Sequence, residues 1–525
     1  MRDFHLPGRS AVYAENGLCA TSHPLAAKVA IQMLEAGGNA VDAAIAGAVL
    51  LGLAEPQMTG IGGDMFALVQ MPDGSVKALN GSGRAPAGLS ADTLRAEGLS
   101  AMPDRGAASV TLPGAVVGFC RLSKDLGRLG IATSLAPAIH YARAGIPVAP
   151  RVALDWGSDA GRLSETAAKT YLTGGEAPSA GTIFRAPKLA NVLTHIATEG
   201  RAGFYEGEVA EDMVQSLQAL GGTHTLEDFA SVTADYVEPI SGQYGNYQLV
   251  EHPPNGQGAA AILLARILAE FDIASLDPLG AERAHLEAEA TKLAYGARDQ
   301  IIADAAHVTE LERMLDGSLA QELAAQIRRD AVLPTPVRAG GMPHKDTIYI
   351  TVVDKDRMAV SLIYSIFASF GSGLASEKFG VLFHNRGAGF CLTPGHPNEA
   401  GPGKRPLHTI IPGLLRQDGA LTHAFGVMGG PYQPTGHARF LSNTADFGMD
   451  PQAAIDAPRS FAWGGQLQVE RGYSEATRQS LADLGHVVIV PDKPIGGAQA
   501  IRIDAERGIL IGGSDPRKDG CALGY

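Results

Sequence analysis

The segment His344-Lys345-Asp346-Thr347-Ile348-Tyr349-Ile350-Thr351-Val352-Val353 decides how this chain reads. From Thr347 to Val353 every residue is β-branched or aromatic, the composition that suits a pleated strand. Asp354-Lys355-Asp356-Arg357 interrupts the run and Met358-Ala359-Val360-Ser361-Leu362-Ile363-Tyr364-Ser365 resumes it, which predicts a β-hairpin. With the turn centred on Asp356, antiparallel pairing sets Thr347 opposite Ser365, two hydroxyls on Cβ atoms roughly 5 Å apart. A slip of one residue would put Tyr364 there instead. Taken alone, Thr347 does no more than begin a strand.

Around this hairpin lies a chain of 525 residues, 45% hydrophobic and 18% charged, enough to bury a large core. The formal charge of −13, with no dense Lys/Arg stripe, argues against a nucleic-acid partner and for a small soluble ligand. Cys19, Cys120, Cys391 and Cys521 form no CxxC pair, so neither a zinc knuckle nor a disulfide framework is expected, and a reducing compartment fits. Met1 to Pro7 contains no apolar h-region, and the most apolar window, Ala43–Ala54, is too short to span a bilayer. A cytoplasmic location without membrane contact is the expectation.

Leu25 to Glu35 has helical apolar spacing and stops at Gly37-Gly38, and a second helix is predicted from Asn39. Thr59-Gly60-Ile61-Gly62-Gly63-Asp64-Met65-Phe66 reads as a glycine-rich turn entering a strand; close backbone packing suits it better than phosphate binding. Farther on, Tyr247-Gln248-Leu249-Val250 followed by Gly256-Gln257-Gly258-Ala259-Ala260-Ala261 outlines a dinucleotide fingerprint. Five residues separate that strand from its glycines, so an NAD-dependent oxidoreductase is only a remote alternative. His384, His396 and His408 recur at neither helical nor strand spacing, and no metal is expected of them.

Asp346-Thr347, the hairpin and Phe370-Gly371-Ser372-Gly373 together resemble the processing site of the γ-glutamyltransferase family. Similar matches run through Ala20-Thr21-Ser22-His23-Pro24, Gly37-Gly38-Asn39-Ala40-Val41-Asp42, Gly380–Phe390, Gly403–Pro412 and Gly426-Val427-Met428-Gly429-Gly430-Pro431. The resemblance implies an α+β fold, the four-layer αββα sandwich of N-terminal nucleophile hydrolases, without a cofactor. It further implies that a precursor cuts itself between Asp346 and Thr347 into fragments 1–346 and 347–525. These would stay associated as one interleaved domain, with a homo-oligomer of such heterodimers as a further expected assembly. Thr347 would then be the nucleophile. A threonine hydroxyl needs a neighbour to take its proton, and the freed α-amine, titrating near 8, lies in the same residue. Ser365 stands where the family has a second threonine, and Gly429 and Gly430 match its oxyanion-hole glycines.

The substrate pocket departs from the family pattern. Phe367 replaces an asparagine, Arg386 and Gly389 replace residues that hold an α-ammonium, and His408 and Thr409 replace paired serines. The family's carboxylate-gripping arginine falls on Ser82, with Arg84 two residues on, either a substitute or a solvated loop charge. Asn385, Arg386, His408, Thr409 and Arg84 are therefore the candidate substrate contacts. Exchanging an acid for Arg386 disfavours a substrate cation and favours an anion. With Asn385-Arg386-Gly387-Ala388-Gly389-Phe390 and Pro394-Gly395-His396-Pro397-Asn398, the chain looks like the γ-glutamyltransferase-like branch that includes oxamate amidohydrolases. The expectation is hydrolysis of a small carboxylic acid's amide, with γ-glutamyl transfer or hydrolysis on glutathione-like amides as the alternative. A non-catalytic binding relative is a third reading.

Overall fold

The computed structural model describes residues 5, 8–334 and 347–525. Two seven-stranded antiparallel sheets form its centre. One runs Cys521–Gly524, Leu18–Thr21, Ile348–Val353, Ala359–Ser365, Asp64–Gln70, Val76–Gly81, Asp235–Val237. The other runs Val12–Ala14, Ile509–Ser514, Gly497–Asp504, Ala420–Met428, Gly413–Gln417, Tyr247–Glu251, Ile240–Tyr244. The predicted hairpin occupies the middle of the first sheet, between Leu18–Thr21 and Asp64–Gln70. Each sheet thus combines strands from before and after position 347.

Helices cover both outer faces. Pro24–Glu35 and Ala40–Ala54 pack on the first sheet. Their starts carry the expected signals: His23 Nδ1 accepts from Leu25 N–H, and Asn39 and Asp42 form a capping box. Ala40–Ala54 is apolar on every face because the first sheet and neighbouring helices enclose it, which explains why its sequence reads as buried. Gly258–Ala269 and Gln433–Ala445 cover the second sheet, and Ala281–Ile301 packs against them. The result is the expected four-layer αββα sandwich, with a third apolar cluster between the two sheets.

The sheets meet closely at Tyr349. Its ring lies over the glycine of the facing strand, where a Cβ at Gly426 would stand 2.3 Å from Tyr349 Cε2. Its hydroxyl is tied to Ser361 Oγ at 2.7 Å, and Ser361 Oγ also donates to the Phe425 carbonyl of the other sheet at 3.1 Å. The dinucleotide outline fails here. Tyr247–Glu251 pairs antiparallel with both neighbours, whereas that fingerprint requires a parallel βαβ unit. The glycine of its second position is explained by packing: a Cβ at Gly258 would meet the His252 carbonyl oxygen at 2.3 Å.

Because the Tyr349 ring is buried and anchored, Gly426→Ala is expected to lower stability by about 1–3 kcal/mol, the usual cost of overpacking. A urea unfolding midpoint unchanged from the parent would contradict this account of sheet spacing.

Candidate active site

Ile348 pairs with Tyr364 and Val353 with Ala359, so the turn centres on Asp356. Arg357 there adopts a positive φ of 64°, and the Asp354 side chain accepts from Asp356 and Met358 N–H. One step beyond the last pair, Thr347 Oγ1 donates to Ser365 Oγ across 3.3 Å. Ser365 also accepts from Phe367 N–H at 2.9 Å, and it pairs with Asp64 on its other side. Gly63 explains the glycine-rich turn: a Cβ there would lie 2.3 Å from the Ser365 carbonyl oxygen. Asp346 lies outside the described residues.

Phe367, at φ 77°, holds a conformation that non-glycine residues rarely adopt. Its ring supports the Arg386 guanidinium, whose centre lies 4.0 Å from the ring centroid. Arg386 is fully buried. Its Nη1 donates to Thr409 Oγ1 at 2.9 Å, while Nε and Nη2 have no hydrogen-bond partner among the described residues. Nε–H and Nη2–H share one edge of the planar guanidinium, the edge that takes a carboxylate through two parallel hydrogen bonds. Burial depresses the Arg386 pKa to about 9, against the opposing influence of Asp64.

Asp64 is the buried anion of this region. Its Oδ1 accepts from Gly83 and Gly114 N–H, at 2.9 and 3.1 Å. Its Oδ2 faces His408 Nε2 at 3.1 Å and His384 Nδ1 at 3.4 Å. Burial would raise its pKa, but the interactions with His384 and then His408 outweigh burial and hold the carboxyl far below its usual range. The His408 pKa is lowered as well, to about 3, through burial and then the nearby Arg386 charge.

The two glycines end the strand Ala420–Met428 at φ 126° and 54°, a turn leading into Gln433–Ala445. Among the described residues, neither the Gly429 nor the Gly430 N–H donates to a turn, loop or cap acceptor. Gln257 joins this turn to the arginine: Nε2 donates to the Thr409 carbonyl at 2.6 Å and to the Gly430 carbonyl at 3.1 Å. An unbroken run of contacts therefore links Thr347, Ser365, Phe367, Arg386, Thr409, Gln257 and Gly430.

Other expected contacts are engaged elsewhere. Arg84 Nη1 pairs with Asp304 at 3.1 Å and donates to the Gly403 carbonyl; its side chain is 44% exposed. It lines a cavity of about 330 Å³ with Ser82, Leu112, Asp228 and Gly403. Asn385 spends its amide on main chain, accepting from Ala368 N–H and donating to the Asp104 carbonyl, so it shapes the loop carrying Phe367. His408 is likewise committed to Asp64. Of the three evenly spaced histidines, His384 and His408 converge on Asp64, while His396 turns to the Asp299 carbonyl. Among the described residues, His285, Glu289 and His486 do have metal-ligand spacing, but Lys292 Nζ lies 2.6 Å from Glu289 Oε1 and the two imidazoles bond each other at 2.8 Å.

Comparison with known proteins gives the lineage. The family model described as gamma-glutamyltranspeptidase matches residues 26–525. The chain belongs to the gamma-glutamyltranspeptidase family. The glutathione hydrolase-like YwrD proenzyme of Bacillus subtilis is 36% identical, covering 98% of this chain and 99% of that protein. The oxamate amidohydrolase proenzyme of Klebsiella pneumoniae subsp. pneumoniae is 35% identical over 98% of this chain and 100% of its own length. A crystal structure of a cephalosporin acylase from Bacillus halodurans superposes with a TM-score of 0.93 at 39% identity, covering 100% of this chain and 99% of that one. The fold is thus that of the N-terminal nucleophile hydrolases, and the chain is an enzyme of this gamma-glutamyltranspeptidase group, whose named members hydrolyse amides. No helix among the described residues is long and apolar enough to cross a membrane.

Within this member of the family, sequence reasoning overlooked Asp64 and Gln257. Asp64 had a signal, a lone acid opening a strand, Asp64–Gln70, that is otherwise free of charge. Gln257 had none, since it sat inside a misleading glycine pattern. The state of Arg386 makes a pH prediction. A carboxylate needs the protonated guanidinium, which is lost as pH rises through about 9. Affinity for a small carboxylate inhibitor such as oxalate should therefore be flat up to that point and fall about tenfold per pH unit above it. Isothermal titration at several pH values checks this; affinity constant to pH 11 would contradict it.

Proposed function

We propose that this enzyme is a self-processing threonine amidohydrolase acting on the amide of a small carboxylic acid of the oxamate kind. The observation that carries the reading is the buried Nε/Nη2 edge of Arg386, without a hydrogen-bond partner among the described residues. A buried cation with a bare bidentate edge is costly unless an anion completes it. The substrate carboxylate is that anion, and the named activity of the 35% identical oxamate amidohydrolase supports the choice.

In this reading, cleavage between Asp346 and Thr347 frees the Thr347 amine. That amine takes the hydroxyl proton as Oγ1 attacks the substrate carbonyl, and Ser365 Oγ orients the hydroxyl from 3.3 Å. Main-chain N–H groups of Gly429 and Gly430 receive the oxyanion. The C–N bond then breaks, the leaving nitrogen departs with the proton, and water hydrolyses the acyl-threonine ester. Water as acceptor makes the net reaction hydrolysis to acid and ammonia or amine.

A γ-glutamyl amide would bring an α-ammonium as well, as the name of the 36% identical relative suggests. The buried acid nearest Arg386 in this network is Asp64, and its oxygens are already taken by Gly83, Gly114, His384 and His408. The small-acid amide is therefore preferred.

Two measurements test the proposal. Intact mass of Thr347→Ala should show one uncleaved chain with no turnover, whereas the parent shows fragments 347–525 and 1–346. On a panel containing oxamate and γ-glutamyl anilide, Arg386→Gln should lose about 100-fold or more in kcat/KM for oxamate, the scale of about 3 kcal/mol for a buried charged hydrogen-bond pair. Oxamate turnover undiminished in Arg386→Gln would remove the basis of the reading.

A further inference from the structure

The contact between the arginine and the glycine turn passes through one side chain. Gln257 lies in the bend between the strand Tyr247–Glu251 and the helix Gly258–Ala269 and is fully buried. Its amide has two N–H donors, and both are used on carbonyls of the candidate site, those of Thr409 and Gly430. Its Oε1 accepts from Arg298 Nη1 at 2.9 Å, which fixes the orientation of the amide, because only the nitrogen can serve two carbonyls and only the oxygen can serve a guanidinium. Its main-chain N–H donates to the His408 carbonyl at 3.1 Å.

Arg298 is itself held in place. Asp299 Oδ1 lies 2.8 Å from Nε and 2.7 Å from Nη2, and the guanidinium rests 4.1 Å from the Tyr295 ring centroid. The Tyr295 hydroxyl donates to the Pro431 carbonyl, one residue beyond Gly430. The glycine turn is thus gripped at two successive carbonyls by groups that hold each other. Thr409 completes the path, for its hydroxyl receives Arg386 and its carbonyl receives Gln257.

We infer that Gln257 is a positioning and specificity-determining residue, setting the spacing between the carboxylate site at Arg386 and the oxyanion site at Gly429–Gly430. The inference rests on the reading of Arg386 and the glycines given above. It deepens that reading by naming what makes the enzyme select short acyl groups. In an oxamate-type substrate the carboxylate carbon is bonded directly to the amide carbonyl carbon, so the two anchoring sites must hold a fixed short separation. A misplacement of about 1 Å at the reacting centre costs on the order of 100-fold in rate. Gln257 touches neither end of the substrate; it acts through the carbonyls of Thr409 and Gly430.

The test compares kcat/KM for oxamate and for oxamide, its neutral counterpart of the same size, in the parent, Arg386→Gln, Gln257→Glu and Gln257→Met. Glutamate keeps the volume and the Arg298 partner but donates to neither carbonyl; methionine removes the charge question. Intact mass and the unfolding midpoint are recorded for each. The expected result is that both Gln257 variants mature and fold, lose about 30–100-fold in kcat for oxamate with KM within about threefold, and lose most of the preference for oxamate over oxamide. A merely structural role would reduce both substrates alike and leave the preference intact. If Arg386→Gln erases the preference and both Gln257 variants keep it, the coupling is refuted and the reading of Arg386 stands. If the parent shows no preference and Arg386→Gln changes nothing, the reading of the site fails and the coupling falls with it. Should one variant fail to mature, the other decides; should both fail, Arg298→Met, which releases the amide from its fixed orientation, must show the same loss of preference, and an unchanged preference there refutes the coupling.

Discussion

The antiparallel register between Ile348–Val353 and Ala359–Ser365 is the constraint from which the rest of the site follows. Side chains alternate across a sheet with a period of two, so a slip of one residue would exchange every inward and outward group in the hairpin. Asp354 guards against such a slip by accepting from Asp356 and Met358 within the turn and from Ala40 N–H of a covering helix. The flanking strands Leu18–Thr21 and Asp64–Gln70 lock the hairpin from both sides. Thr347 and Ser365 face each other because four strands agree on one register.

Charge balance organises the layer beside the hairpin. Arg386 and Asp64 are both fully buried, and neither satisfies the other by direct contact among the described residues. Asp64 is solvated by two main-chain N–H groups and two imidazoles; Arg386 by one hydroxyl and an aromatic face. Such an arrangement is expensive as a means of stability, since burying separated charges costs several kcal/mol for each ion. Under the proposed function, a substrate anion would complete the Nε/Nη2 edge of Arg386 and offset that cost.

Glycines at the contacts between layers let main chain approach main chain. Gly63 meets the Ser365 carbonyl, Gly62 the Leu382 carbonyl, and Gly426 the Tyr349 ring, each at a distance that forbids a Cβ. Their shared effect is to bring the Asp64 strand, the hairpin and the Ala420–Met428 strand together around Thr347. The wealth of glycine in the composition therefore reflects site construction as much as turns.

Local sequence determined the hairpin, its centre at Asp356, the first two helices with their caps, and the family, because each is encoded in residues adjacent along the chain. The presence of an arginine at position 386 was legible in the same way, its proposed role only through the resemblance. Only the tertiary structure decided what those residues touch. Arg84 goes to Asp304, Asn385 to the loop at Ala368, and His408 to Asp64, all partners more than ten residues distant in sequence. Asp64 and Gln257 gained their places only when strands far apart in the chain closed on one another. Periodicity and motif spacing record which face a residue takes within its own element; a buried polar group's partner is set by packing between elements, and no local pattern carries that information.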